Sequence, residues 1–302
     1  MKSLFYLPFW FFKARCLGVR KPLQTVLFVS DKCNLTCKHC SIYELQHPHV
    51  KTYDRIREEL EYSYRLGSRF VDFEGGEPTL WRDGDRDLNS LIRLAKQIGF
   101  YSATITTNAQ RPFAGSEADS IWVSLDGLGD FHDEIRGKGT FDRLVKNLAT
   151  AHHPHLSVNM VINSKNYPSV DETIEFAKNN PHIESISLNF HTPYEGTEYL
   201  FLDWEKRAQI IDLIIAKKKA GYPVMNSVSG LKLMKHNRFG KQCWVSNFIL
   251  SDGTRLTECQ GKTAGVCARC GLSMAGEMHS VFTLKPDTVF AGLKLRNVGV
   301  NG

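Results

Sequence analysis

The sequence predicts an α/β fold built on a parallel sheet, and three observations carry that prediction. Six short stretches rich in β-branched or aromatic residues alternate with stretches of helical periodicity from Gln24 to about residue 200. That alternation reads as βαβ units. The chemistry-bearing motifs all fall just after the strand-like stretches, where such sheets gather their loops. Six strands are too few for the usual eight-strand closure, so a full barrel is not expected.

Residues 1–22 precede the first strand. They carry Lys2, Lys13, Arg15, Arg20 and Lys21 and no acidic residue, so nearly all of the net charge of +6 sits at one end. A globally basic surface of the nucleic-acid kind is therefore not indicated. The apolar run around Leu4–Phe12 is too short to span a bilayer, and no small-residue cleavage site follows it. Two readings remain open. Trp10, Phe11 and Phe12 beside Lys and Arg suit a segment lying in a membrane interface, or the aromatics pack against the domain itself.

The predicted strands are 24–30, 69–74, 101–107, 120–125, 156–162 and 183–190, and the helices lie near 52–66, 87–98, 139–151 and 168–179. A longer helix runs from Trp204 to Ala220, stopped by Gly221 and Pro223, and a shorter one from Val228 to Asn237. Neither has a strand partner, so the sheet is expected to occupy 23–202. A helical connection then fills 203–240 and a small Cys-rich module 241–302.

Eight cysteines in a chain of 302 residues do not make a secreted disulfide scaffold. Seven fall into two metal-type groups, which points to a reducing compartment; Cys16 is left over and reads as a small apolar side chain. Cys33, Cys37 and Cys40 stand at Cys-x3-Cys-x2-Cys, with His39 just before the last. Three thiolates can hold three irons of a four-iron, four-sulfur (4Fe–4S) cluster and leave one position open for chemistry. The second group is Cys243, Cys259, Cys267 and Cys270, with a hairpin-type turn at Ser251–Thr254 between the first two. Four thiolates saturate a metal, so an iron–sulfur cluster, structural zinc and no metal all stay open. The tracts His152-His153-Pro154-His155 and His47-Pro48-His49 lack ligand spacing and read as loop histidines.

These motifs resemble those of the radical S-adenosylmethionine (radical SAM) enzymes. Gly75-Gly76-Glu77-Pro78 after the second strand and Ser124-Leu125-Asp126-Gly127 after the fourth match two further elements of that family. The resemblance implies a partial (β/α)6 TIM-like barrel with a small C-terminal Cys-rich extension, and it names S-adenosyl-L-methionine (SAM) and a 4Fe–4S cluster as cofactors. The open iron would take the amino and carboxylate groups of SAM, which is then cleaved to methionine and a 5′-deoxyadenosyl radical. By the same resemblance, the turn Gly75–Pro78 would bind SAM, with backbone at Gly76 and the Glu77 carboxylate holding the methionyl ammonium. The backbone at His39 would meet adenine, and Arg136 the SAM carboxylate. Ser124 and Asp126 lie two apart, share a strand face and can bind ribose hydroxyls or the methionyl group. Asn159 is an inward-facing candidate, and Thr107 and Asn108 stand where they can contact SAM or substrate.

The later cysteines resemble the short twitch form of SPASM auxiliary-cluster modules, with five residues rather than four between Gly253 and Cys259. The layout resembles that of adenosylhopane synthases, which implies a membrane isoprenoid or other lipid as substrate. The alternative is a maturase of a peptide or small metabolite that uses an auxiliary cluster, and last comes an iron–sulfur electron carrier. An electron donor such as flavodoxin or ferredoxin is expected as a partner, with a cytoplasmic location, peripheral on the inner face of the membrane.

Overall fold

The computed structural model describes residues 2–40 and 48–296. Helix α1 (Lys2–Cys16) is followed by β1 (Gln24–Ser30), α2 (Tyr53–Leu66), β2 (Phe70–Gly75), α3 (Leu88–Ile98), β3 (Ser102–Thr107) and β4 (Ser120–Ser124). Then come α4 (Asp130–Arg136), α5 (Thr140–Ala149), β5 (Leu156–Ile162), α6 (Val170–Asn179), β6 (Ser185–Phe190), α7 (Trp204–Lys219) and α8 (Val228–Met234). The chain continues through β7 (Ser246–Ile249), β8 (Arg255–Leu256), α9 (Gln260–Thr263), α10 (Ser273–Phe282) and α11 (Pro286–Arg296).

Among the described residues, eight strands form one sheet in the order β6-β5-β4-β3-β2-β1-β7-β8. All neighbours are parallel except β7 and β8. The six predicted strands are present within a residue or two, and the sheet does not close. Ser251–Thr254 does form the β7–β8 hairpin, with the Leu250 N–H donating to the Thr254 carbonyl. The expectation that the sheet ends near residue 200 is corrected: β7 pairs with β1 from Gln24 to Leu27, so the Cys-rich segment extends the same sheet. The far edge of β6 is covered too. The Asn226 side chain accepts from the Leu188 N–H and donates to the Leu188 carbonyl, as a neighbouring strand would.

Alternation along the strands sorts side chains onto two faces. Val71, Phe73, Ile105, Val123, Val158 and Leu188 join the main core with Ile56, Leu91, Leu144, Ile174 and Ile211 of the helices. The opposite, concave face carries Asp72, Glu74, Thr104, Thr106, Ser124, Asn159 and Asn189, and it is tied by side-chain hydrogen bonds such as Asn189 Nδ2 to Asn159 Oδ1 at 2.7 Å.

Helix α1 caps the lower end of the barrel. Trp10 is buried with Leu23, Phe70 and Val245, its Nε1 donates to the Lys21 carbonyl, and the Tyr6 hydroxyl donates to the Gly67 carbonyl. Docking against the domain is therefore satisfied by one face. The other face leaves Phe5, Phe9 and Phe12 75%, 55% and 53% exposed. Cys16, expected as a small apolar core residue, is instead exposed at the helix end.

Candidate active site

The first cysteine loop leaves β1 and is pinned to the turn after β2. The Gly76 N–H donates to the Ser30 carbonyl and the Glu77 N–H to the Lys32 carbonyl. A Cβ at Gly75 would meet the Ser30 oxygen at 2.0 Å, and one at Gly76 would meet the Lys32 oxygen at 2.3 Å. The glycine pair thus admits the chain leaving β1 as a close neighbour.

Glu77 is buried, and its carboxylate is filled from within the chain. It accepts from the Thr79 N–H and hydroxyl, the Thr107 hydroxyl and, at 2.7 Å, the Asn108 N–H. Three of these donors converge on Oε1 and only the Asn108 N–H reaches Oε2, so Glu77 braces the ends of β2 and β3 while Oε2 keeps room for a further donor. Ala109, at φ 56 in the left-handed region rare for a residue with a Cβ, follows Asn108. Asn108 Nδ2 reaches Asn34 Oδ1 at 2.8 Å and Cys33 Sγ at 3.8 Å.

Helix α4, which is not among the helices expected from the sequence, supplies the opposite wall. Arg136 is buried, and its Nε donates to Asp126 Oδ2 at 2.7 Å while its Nη1 reaches Cys37 Sγ at 3.9 Å. Asp126 Oδ1 also accepts the Val161 N–H, so this carboxylate joins β4, β5 and α4. The Lys38 N–H bonds to the Ile135 carbonyl and fastens the cysteine loop to α4. Burial raises Asp126 and the Arg136 guanidinium lowers it; the net position is below the usual carboxylate range.

Burial pushes the Cys37 thiol up to about 11, so it would keep its proton unless a metal displaced it. The His39 ring is buried, its Nε2 is 3.8 Å from Asp126 Oδ2, and its Nδ1 has no partner within the chain. Ser124 and Asn159 are register partners on the concave face. The predicted residues Cys33, Cys37, Cys40, His39, Gly75–Pro78, Asn108, Ser124, Asp126, Arg136 and Asn159 therefore gather at or near one end of the sheet. Glu74 was missed. It lies on the concave face one residue before the glycines, and burial, with Asp72 beside it, pushes its carboxyl up to about 7. Two acidic residues on one face of a buried strand were the signal.

His132 was missed as well. It is fully buried, and its Nδ1 accepts the Asp126 N–H at 3.1 Å, which requires a neutral ring. Burial, aided by Arg136, pushes it down to about 4, and burial does the same to His39. An unfolded histidine takes its proton near 6.5. Between those values the unfolded state binds more protons, so stability falls as pH drops from about 6.5 to about 4. The slope approaches ~1.4 kcal/mol per pH unit for each ring, or about 3 kcal/mol in all per ring. His132→Asn, which keeps an acceptor near the Nδ1 position, is expected to make that slope shallower in urea unfolding, the rest coming from His39 and His191, which burial also pushes down; an unchanged slope would clear His132 as a source.

The second cysteine group lines one pocket with Thr192, Tyr194 and Lys241. Cys259 caps α9, and a hydrogen bond from Cys243, helped by the Lys262 and Gly261 N–H groups, pulls it below the ordinary thiol value. Arg207 is fully buried beside it. Its Nη2 donates to the Cys270 carbonyl at 3.0 Å, while its Nε and Nη1 find no partner. A buried cation without a carboxylate suits a neighbourhood of thiolates. Among the described residues, no three His, Cys, Asp or Glu side chains converge closely enough to hold a single ion. The histidine tracts stay separate: His153 bonds the Ala118 carbonyl, His49 pairs with Asp31 at 3.1 Å, and His47 lies outside the described residues.

Comparison with known proteins agrees with this geometry. The model of the radical SAM superfamily matches residues 27–177. The chain is 27% identical over 293 residues to Fe-coproporphyrin III synthase of Methanosarcina barkeri, covering 86% of this chain and 68% of that protein. It is 26% identical over 162 residues to mycofactocin maturase MftC of Mycolicibacterium smegmatis, covering 51% of this chain and 41% of the maturase. SuiB of Streptococcus suis, solved bound to S-adenosylmethionine, shares the fold with a TM-score of 0.64 at 19% identity over 93% of this chain and 70% of SuiB. The family match takes in half of the sequence, including the cysteine loop, the double-glycine turn and the Asp126–Arg136 pair, and so this chain belongs to the radical SAM superfamily, whose cofactors are a 4Fe–4S cluster and SAM.

Proposed function

We propose that Cys33, Cys37 and Cys40 hold three irons of a 4Fe–4S cluster, that SAM binds the fourth, and that the resulting radical modifies a lipid. The observation that carries this reading is the meeting of three motifs at one end of the parallel sheet, with N–H donors of Asn108 and Arg136 directed at the first two sulfurs. Such donors favour thiolate over thiol and orient ligands. The chemistry the cluster supplies when bound is one-electron reduction of SAM, which splits into methionine and a 5′-deoxyadenosyl radical. Arg136, held by Asp126, has the charge and planarity to orient the SAM carboxylate. Glu77 Oε2, which accepts only the Asn108 N–H, and the backbone of the double-glycine turn would accept from the ammonium. Ser124 and Asn159 face the space beside them. Cys243, Cys259, Cys267 and Cys270 would hold a second cluster, in a module spanning about 241–302 that shares its sheet with the barrel of 23–202. A flavodoxin- or ferredoxin-type protein would supply electrons. The test is anaerobic incubation with SAM and dithionite: 5′-deoxyadenosine is expected, and bleaching with SAM intact would leave an electron carrier.

The lipid reading rests on α1. Its outward stripe of Phe5, Phe9 and Phe12 lies beside Lys13 and Arg15, and the first 22 residues have no acidic side chain. Such a face suits an anionic bilayer surface, here the inner face of the membrane with the protein in the cytoplasm. Among the described residues no helix is long and apolar enough to cross a membrane. Phe5→Ser/Phe9→Ser/Phe12→Ser spares the docked face. It is expected to weaken partitioning onto anionic vesicles at least tenfold, and sedimentation unchanged from wild type would remove the membrane argument. A peptide or small-metabolite substrate is the second reading, favoured by the names of the maturase and synthase relatives.

A further inference from the structure

We infer that a cavity at the lower end of the barrel holds the hydrocarbon chain of the substrate; this rests on reading the chain as a radical enzyme acting on a lipid. The cavity measures about 450 Å³ and lies between α1, α10, α11 and the concave face of the sheet. Sites for small organic ligands are of this size, and a predominantly apolar lining favours hydrocarbon over polar ligands. Its apolar walls include Trp10 and Phe11 of α1, Met278 and Val281 of α10, Val289 of α11 and Trp122 of β4, and the Glu277 carboxylate, which accepts the Ser227 N–H, also lines it.

The position of the cavity ties it to the chemistry. Ser187 also lines it. Ser187 is the register partner of Asn159, and Asn159 of Ser124, so one row across β4, β5 and β6 links the cavity to the side chains assigned to SAM. Above Ser187 the surface turns polar: Asn189 bonds Asn159, and the Ser273 N–H donates to Asn189 Oδ1 at 2.8 Å. A substrate with its tail down among the tryptophans would present its polar end beneath the SAM site. Helix α1 bounds the cavity with one face and exposes the Phe5–Phe9–Phe12 stripe on the other. A chain drawn from an anionic bilayer has about one helix diameter, ~10 Å, to cross.

Trp10 and Trp122 are two of the five tryptophans, so dibromostearate titrated into the full-length, cluster-loaded protein reports occupancy by contact quenching. Partial quenching to a plateau is expected, with displacement by unbrominated stearate. In competition by shorter saturated acids, affinity is expected to rise by roughly fourfold per added methylene until the cavity is full. Val281→Phe/Val289→Phe fills the cavity and is expected to weaken quenching at least tenfold, while iron content and SAM cleavage stay within about twofold. If the double variant does not fold, Val281→Phe alone decides by the same titration. No quenching in wild type, quenching indifferent to chain length, or quenching undiminished in the filled variant overturns the inference. The full quenching pattern in wild-type protein that fails to cleave SAM supports the cavity and removes the enzyme reading.

Discussion

Cys37→Ala is expected to abolish reductive cleavage of SAM, with 5′-deoxyadenosine falling by well over a hundredfold. Cys37 is the most buried of the first three cysteines, and its sulfur faces the Arg136 guanidinium. Residues that merely support metal ligands already contribute 10–100-fold, and loss of the ligand itself should exceed that. Iron counting separates this from general collapse. Wild type reconstituted at both groups should carry about eight irons and Cys37→Ala about four. The reciprocal variant, Cys267→Ala, should also fall to about four while still cleaving SAM in the absence of substrate. Appreciable cleavage by Cys37→Ala, or equal loss of cleavage in both variants, would mean that the two groups are not the separate sites proposed.

The sheet was legible in the sequence wherever structure is local. Strands β1 to β6 each carry their own pattern of branched residues and are separated by helices with apolar stripes, so alternation alone places them. The motifs then fall at the strand ends as a consequence of chain direction. What could not be read depends on long-range pairing. Ser246–Ile249 is four residues long and has no distinctive pattern; it becomes a strand because β1, more than 200 residues earlier, offers an open edge. Helix α4 was hidden because it is only seven residues long and bracketed by glycines. Even so, the functional weight placed on Arg136 fits the wall that the helix builds.

The double-glycine turn teaches a sharper lesson. Its residue types were read as serving a ligand, and the geometry gives the glycines to the crossing of two strand ends and the glutamate to bracing a third. Residue type and spacing located the site, but they could not say which lone pairs remain free, because that depends on Thr79, Thr107 and Asn108 arriving together. The exposed aromatic stripe of α1 shows the same limit. Composition offered docking or membrane as alternatives; the helix repeat assigns Tyr6 and Trp10 to docking and leaves Phe5, Phe9 and Phe12 exposed.

Asp126→Ala is expected to remove about 3–5 kcal/mol of stability, because it strands a buried arginine without its counter-charge. Asp126 has no exposed surface and Arg136 is 8% exposed, so solvent cannot compensate as it would for a surface pair. The Val161 N–H loses its acceptor at the same time, which adds the cost of an unmet buried donor. Since the folded Asp126 sits below its ordinary value, its contribution is present above the unfolded carboxylate range near 3.9 and is lost as pH falls through the folded value. The double variant Asp126→Ala/Arg136→Met separates charge from position. Removing both charges should recover much of the stability in urea unfolding, since an apolar pair can replace a buried ion pair at little cost. SAM cleavage should not recover, because no guanidinium remains to face Cys37 and the SAM carboxylate. Recovery of both would assign the pair to folding alone; recovery of neither would point to the Val161 contact, and not the charge, as what Asp126 contributes.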